Sequence, residues 1–177
     1  MGWLNRLMGG GLPADFPGEL APGENVIAVA GVEGGGELVV TSLGLWVPSE
    51  GGPRRVYWHL VAKAAWGDGV FELTESEESE ETGEAGAVMV VVDRPPVRFR
   101  LPAPGKVPPQ VRLRVDGSVR ARHRHDFGAG GGAWFVQRKV PGRDGTVLQV
   151  RPDPGTDPAL VEAIAGEVAA KLANPGE

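Results

Sequence analysis

The chain has 177 residues, among them 28 Gly, 16 Pro and no Cys, and a formal net charge of −5. Gly and Pro make up about a quarter of it, the level at which low-complexity composition begins, but Val (24), Leu (14), Phe (5) and Ile (2) supply another quarter, above the ~20% below which chains stay disordered. One compact, turn-rich domain is expected, with a small second lobe as the alternative; a disulfide framework, a thiol nucleophile and a Cys-based zinc site are excluded, and no apolar run approaches the ~20 residues of a transmembrane helix.

Within residues 1–11, Trp3, Leu4, Leu7 and Met8 fall at helical spacing with Asn5 and Arg6 opposite. The stretch lacks the unbroken apolar core of ~7–15 residues that a secretory signal needs, so a cytoplasmic protein is expected. Its apolar side suggests an N-terminal turn docked on its own domain; a membrane-surface anchor is the alternative.

Strands dominate the first hundred residues. Val26–Val32 is a valine-rich run closed by Gly34-Gly35-Gly36, and Leu38–Thr41 resumes it, the pattern of a hairpin whose glycines supply positive φ. Leu43, Leu45 and Val47 alternate up to Pro48, and Gly51-Gly52-Pro53 makes the next turn. A run from Arg54 to Trp66 then meets Gly67-Asp68-Gly69 and Val70–Thr74, alternation on both sides of a turn that predicts another hairpin.

The segment Val39-Val40-Thr41-Ser42-Leu43-Gly44-Leu45-Trp46-Val47, followed by Arg55-Val56-Tyr57-Trp58 and a strand ending in Trp66 before a Gly-rich turn, resembles bacterial pleckstrin-homology-like (PH-like) domains over about residues 20–102. The remainder is similar to the tails of uncharacterised actinobacterial proteins: a Val107-Pro108-Pro109 start, an Arg-rich strand, and Asp153-Pro154-Gly155 and Asp157-Pro158 leading into a final helix. The resemblance implies a non-catalytic docking scaffold with no cofactor, supplies no binding residues, and favours a helix after Val107.

Glu72–Glu84 holds seven glutamates among Ser, Thr and Gly. Such a block repels itself and predicts a solvated loop after a strand; a decoy for a basic partner and a cation-binding loop are the alternatives, without the ligand spacing of an EF-hand. Val88–Val92 is a continuous apolar run suited to a buried strand, with Val97–Leu101 its expected partner across Arg94-Pro95-Pro96. About seven short strands result, the pattern of a small barrel or sandwich.

Charge is segregated. Residues 1–93 carry 15 acids and 4 bases, residues 94–151 carry 13 bases and 3 acids, and residues 152–177 carry 5 acids and 1 base. In the basic part, 110–116 has two readings: Val111 and Val115 lie four apart on a helix begun at Pro109, or Val111, Leu113 and Val115 alternate as a strand turning at Asp116-Gly117. Ser118–Phe127 is a clearer strand, with Val119, Ala121, His123, His125 and Phe127 on one side and Arg120, Arg122 and Arg124 on the other. Three arginines about 7 Å apart form the candidate binding site, able to grip carboxylates or phosphates through bidentate bonds; pairing with acids of neighbouring strands is the plainer use. Nucleic acid is disfavoured, because the chain is acidic overall and no aromatics interleave with the arginines. His123 and His125 have the spacing of metal ligands, but a third ligand is missing from their face.

Gly128–Ala133 formally matches a dinucleotide fingerprint, yet a strand pattern follows where a helix is required, so a hairpin loop is expected. No nucleophile elbow or Walker motif occurs. Trp134–Val140 and Thr146–Val150 form the next hairpin, and Asp157 with Pro158 opens a helix whose Leu160, Val161, Ile164, Val168 and Leu172 make one apolar stripe. The expected fold is α+β, mostly β: an N-terminal segment (1–19), a PH-like small barrel (20–102) and a β-β-β-α unit (107–174). The expected function is protein or peptide docking. Binding of an anionic ligand or lipid headgroup by Arg120, Arg122 and Arg124, with peripheral membrane contact, is the alternative, and a metal-dependent enzyme is the remotest reading.

Overall fold

The computed structural model describes residues 12–79 and 88–173; the expectations for Trp3, Leu4, Leu7 and Met8, and for the glutamates from Glu80 to Glu84, lie outside them. The fold is α+β and mostly β, with a sheet curled into a half-barrel and two helices among the described residues. The chain forms two compact units: the first runs up to Glu75 and adds Pro95–Ser118, and the second joins Ser76–Arg94 to the residues from Val119 onward. The expected cut between 102 and 107 falls elsewhere, because the helix after Val107 packs into the first unit.

In the first unit, β1 (Val26–Gly31), β2 (Glu37–Thr41), β3 (Gly44–Val47) and β4 (Arg54–Tyr57) form an antiparallel meander in chain order. Gly44 allows β3 to lie close to β4: a Cβ there would sit 2.3 Å from the Val56 carbonyl oxygen. The run from Arg54 to Trp66 is not one strand. It breaks at a 3-10 turn, Trp58–Leu60, where the buried Trp58 indole donates to the Thr41 carbonyl at 3.0 Å. The chain resumes as β5 (Val61–Gly67), which pairs with β6 (Val70–Glu78) through a tight turn with Asp68 at φ 52° and Gly69 at φ 77°.

β8 (Val97–Arg100) pairs antiparallel with the first half of β6, setting Phe99 against Phe71 and Val97 against Leu73. The expected partnership of this segment with Val88–Val92 is therefore replaced. The glutamates of β6 are also strand rather than loop as far as Glu78, because arginines neutralise them: Arg98 binds Glu72 at 2.8 Å and Arg54 makes a two-pronged bond to Glu75.

Helix α1 (Val107–Ser118) settles the two readings of 110–116. Pro108 and Pro109 occupy its first turn, where a missing N–H costs nothing. Val107 and Val111 are fully buried and Val115 packs beside them, whereas Leu113 is 63% exposed, so the period is helical rather than two. These valines close a core containing Leu38, Val40, Leu45, Phe71, Leu73 and Phe99. On the other side of the meander, Val29, Val39 and Trp46 are covered by Leu12, Phe16 and Leu20, with Phe16 edge-on to Trp46 at 5.6 Å.

The second unit is a sheet of β7 (Val88–Asp93), β11 (Thr146–Pro152), β10 (Gly132–Lys139) and β9 (Val119–Asp126), in that spatial order, with Ser76–Glu78 of β6 beyond β7. β7 runs parallel to β11, and the other pairings are antiparallel. The expected three strands and helix thus gain a fourth strand from earlier in the chain. Helix α2 (Pro158–Ala173) is capped by Asp157, whose carboxylate accepts from the Ala159 amide at 2.9 Å. It buries Val161 and Ala165, with Ile164 and Val168 alongside, on Val88, Val90, Ala133, Phe135, Leu148 and Val150.

Candidate functional site

β9 ends its sheet: it pairs with β10 on one side and with no described strand on the other. The Phe127 amide donates to the Gly131 carbonyl at 2.8 Å across the hairpin. Main-chain direction alternates along a strand, so residues 125 and 123 also bond inward to β10, and the N–H and C=O of Arg122 and Arg124 face the open edge. The Gly132 carbonyl, accepting from Asp153 on the β11 side at 2.9 Å, is in the same phase. A bulge opposite Gln137 and Arg138 interrupts the register at Arg120, which has no cross-strand partner on β10.

The three candidate arginines are exposed, Arg122 and Arg124 share one face of β9 while Arg120 stands at the bulge, and they are not equivalent. Arg124 makes a two-pronged ion pair with Asp153 and lies 5.7 Å from the ring centre of its cross-strand neighbour Trp134. The hydrogen bond from Arg124, followed by its charge, holds Asp153 below the usual carboxylate range against the opposing effect of burial. Neither Arg120 nor Arg122 has an ion pair among the described residues. On β10 the same face carries Arg138, only 2% exposed, whose pKa is pushed down to about 10 by burial and by the charges of Arg151 and Arg122. It still carries its charge at neutral pH.

His123 and His125 take the opposite face. The His125 ring lies 4.9 Å from Phe127 and 6.3 Å from Phe135. Both histidines line a groove of about 370 Å³ between the β9–β10 face and α2, floored by Phe135 and Leu148 and walled by Ile164, Val168 and Lys171. Among the described residues no group of three His, Asp or Glu side chains stands close enough to hold a metal.

A larger cleft of about 570 Å³ opens at the carboxyl ends of β7 and β11, lined by Asp93, Arg151, Asp153, Thr156 and Glu162. Its polar groups are largely committed to one another. Arg151 binds Asp93 and the Ser76 hydroxyl, Asp153 holds Arg124, and Thr156 donates to the Gly132 carbonyl at 3.0 Å. β9 keeps an open main-chain edge beside the smaller groove and carries Arg120 and Arg122, which have no ion pair among the described residues, and so it is the stronger site.

Alternation alone placed the arginines on one face. It could not place that face on an outer strand, bring Trp134 beside Arg124 where β9 itself has no aromatic, or set α2 across from the histidines. It also missed a densely bonded polar group, Glu24 of the first unit. One Glu24 oxygen accepts from the Thr41 hydroxyl at 2.6 Å and the Trp46 indole at 3.0 Å; the other accepts from the Ala21 amide at 2.8 Å and from Arg55. Arg55 lies between the Trp46 and Tyr57 rings, 5.2 and 4.7 Å from their centres. This buried network fastens the segment before β1 to the meander. Among the described residues no helix is long and apolar enough to cross a membrane. Comparison with family models, curated proteins and solved structures gave no match to this chain.

Proposed function

We propose that the chain is a non-catalytic cytoplasmic docking protein that binds an extended segment of a protein partner by adding it as a further strand to β9. In this reading the first unit is a PH-like scaffold. Its four-strand meander, three-strand antiparallel group and closing helix α1 support that assignment. The observation that carries the function is the open edge of β9, with the main-chain groups of Arg122 and Arg124 directed outward beside a groove. Strand addition draws affinity from such main-chain bonds and specificity from alternate side chains.

The test is selection of peptides from a random phage-displayed library on the full chain, followed by binding to Arg122→Ala and Arg122→Pro variants. Proline at an outward-facing edge position removes the docking N–H without breaking a bond to β10, and circular dichroism verifies that both variants fold. The expected result is that selected peptides bind Arg122→Pro at least tenfold more weakly than Arg122→Ala. Equal binding to the two variants refutes strand addition. So does failure to select any peptide while phosphatidylserine vesicles bind in a salt-sensitive manner, the outcome expected of a lipid-headgroup site.

A further inference from the structure

Resting on strand addition at β9, we infer that the partner segment is acidic, with carboxylates at alternate positions and apolar side chains between them. The incoming strand must alternate as β9 does. On one face its side chains meet Arg122, with Arg120 at the adjoining bulge, two arginines of β9 that have no ion pair among the described residues. Carboxylates are the side chains that match guanidinium groups in a two-pronged geometry. On the other face the intervening side chains reach the groove, whose floor of Phe135 and Leu148 and wall of Ile164 and Val168 suit apolar groups, with Glu167 and Lys171 also along its lining.

A second copy of the chain is a poorer occupant. Antiparallel pairing of β9 with its own copy sets arginine against arginine on one face, and like charges directly opposite destabilise a sheet. Charged edges of this kind work against self-pairing, while the same charges attract an acidic strand. Nucleic acid lacks the alternating apolar side chains that the groove accepts, and the nearest aromatic platform is a single residue, Trp134, already beside Arg124.

The experiment compares blocked octapeptides alternating Glu with Val, Gln with Val and Lys with Val, titrated into the full chain by calorimetry at low and at roughly physiological salt. The Glu peptide is expected to bind at least tenfold more tightly than the Gln peptide and to weaken with salt, the Lys peptide not to bind, and an Arg120→Ala/Arg122→Ala double variant to remove the preference for Glu. Equal binding of the Glu and Gln peptides, both weakened in Arg122→Pro relative to Arg122→Ala, overturns the acidic partner and leaves strand addition standing. Equal binding unaffected by the proline overturns both, and absence of binding by the Glu peptide overturns the acidic partner.

Discussion

Replacing Glu24 by Gln tests how the first unit is held together. The side chain of Glu24 is fully buried and its carboxylate accepts four hydrogen bonds, from Thr41, Trp46, the Ala21 amide and Arg55. Glutamine keeps the volume but removes the charge opposite Arg55, and its amide turns donors toward donors. Breaking one side of a buried, hydrogen-bonded ion pair costs about 3–5 kcal/mol, against a total stability of about 5–15 kcal/mol for an ordinary domain. Burial alone would raise the Glu24 pKa, but the bonds from Thr41, Ala21 and Trp46 and the charge of Arg55 outweigh it and hold the carboxyl below its ordinary value. A carboxyl depressed by folding contributes stability that is fully present above the unfolded pKa of about 4.3 and lost as pH falls through the lower folded value. Urea unfolding, followed by tryptophan fluorescence through the buried Trp46 and Trp58, should therefore show a large deficit for Glu24→Gln at pH 7 that narrows below about pH 4. A deficit under about 1 kcal/mol at pH 7, with parallel pH profiles for the two proteins, refutes the reasoning.

Gly44→Ala drives a Cβ to within 2.3 Å of the Val56 carbonyl oxygen, whereas Gly31→Ala meets open space; the first should cost more than about 3 kcal/mol and the second stay within about 1, read from paired urea midpoints. Val111→Ala, at a fully buried position of α1, should cost about 1.5–3 kcal/mol, while Leu113→Ala on the solvent side stays within about 0.5. Equal costs for those two would contradict the helical packing of α1.

What the sequence revealed was local. The hairpins at Gly34–Gly36 and at Asp68-Gly69 were legible because the alternating runs and the turn residues that join them are contiguous. The capped start of α2 was legible for the same reason, in Asp157-Pro158. Pairings between distant segments were not. Val88–Val92 has the composition of a buried strand, but nothing near it says that its neighbour is β11, more than fifty residues later and parallel. The segment after Pro95-Pro96 lies next to β7 in the chain, yet it pairs with β6 because Phe99 and Phe71 meet there in the core of the first unit. Glutamates 75, 77 and 78 looked like loop by charge alone. They are strand because Arg54 and Arg94 stand opposite Glu75 and Glu77, a match that linear composition cannot display.

The same pairings reinterpret the charge segregation of the chain. An acidic first half and a basic middle suggest a polar partner for each, yet most of the middle's arginines are committed within the units. Arg94 binds Glu77, Arg98 binds Glu72, Arg100 reaches Glu33, Arg112 reaches Asp116, Arg124 binds Asp153 and Arg151 binds Asp93. Mostly exposed pairs of this kind contribute little stability one by one. Their effect is on what remains: on β9, Arg120 and Arg122 have no ion pair among the described residues. Those two residues lie where β9 also leaves its main-chain edge unpaired. An unpaired edge without charge would recruit any exposed strand, including its own copy, and a charged face without an open edge would offer no register to a bound chain. In the proposed strand addition, the two features together would select against basic and self-complementary segments and for an acidic one. Under that proposal, the arginines that alternation singled out therefore have a role through the edge they decorate rather than through their number.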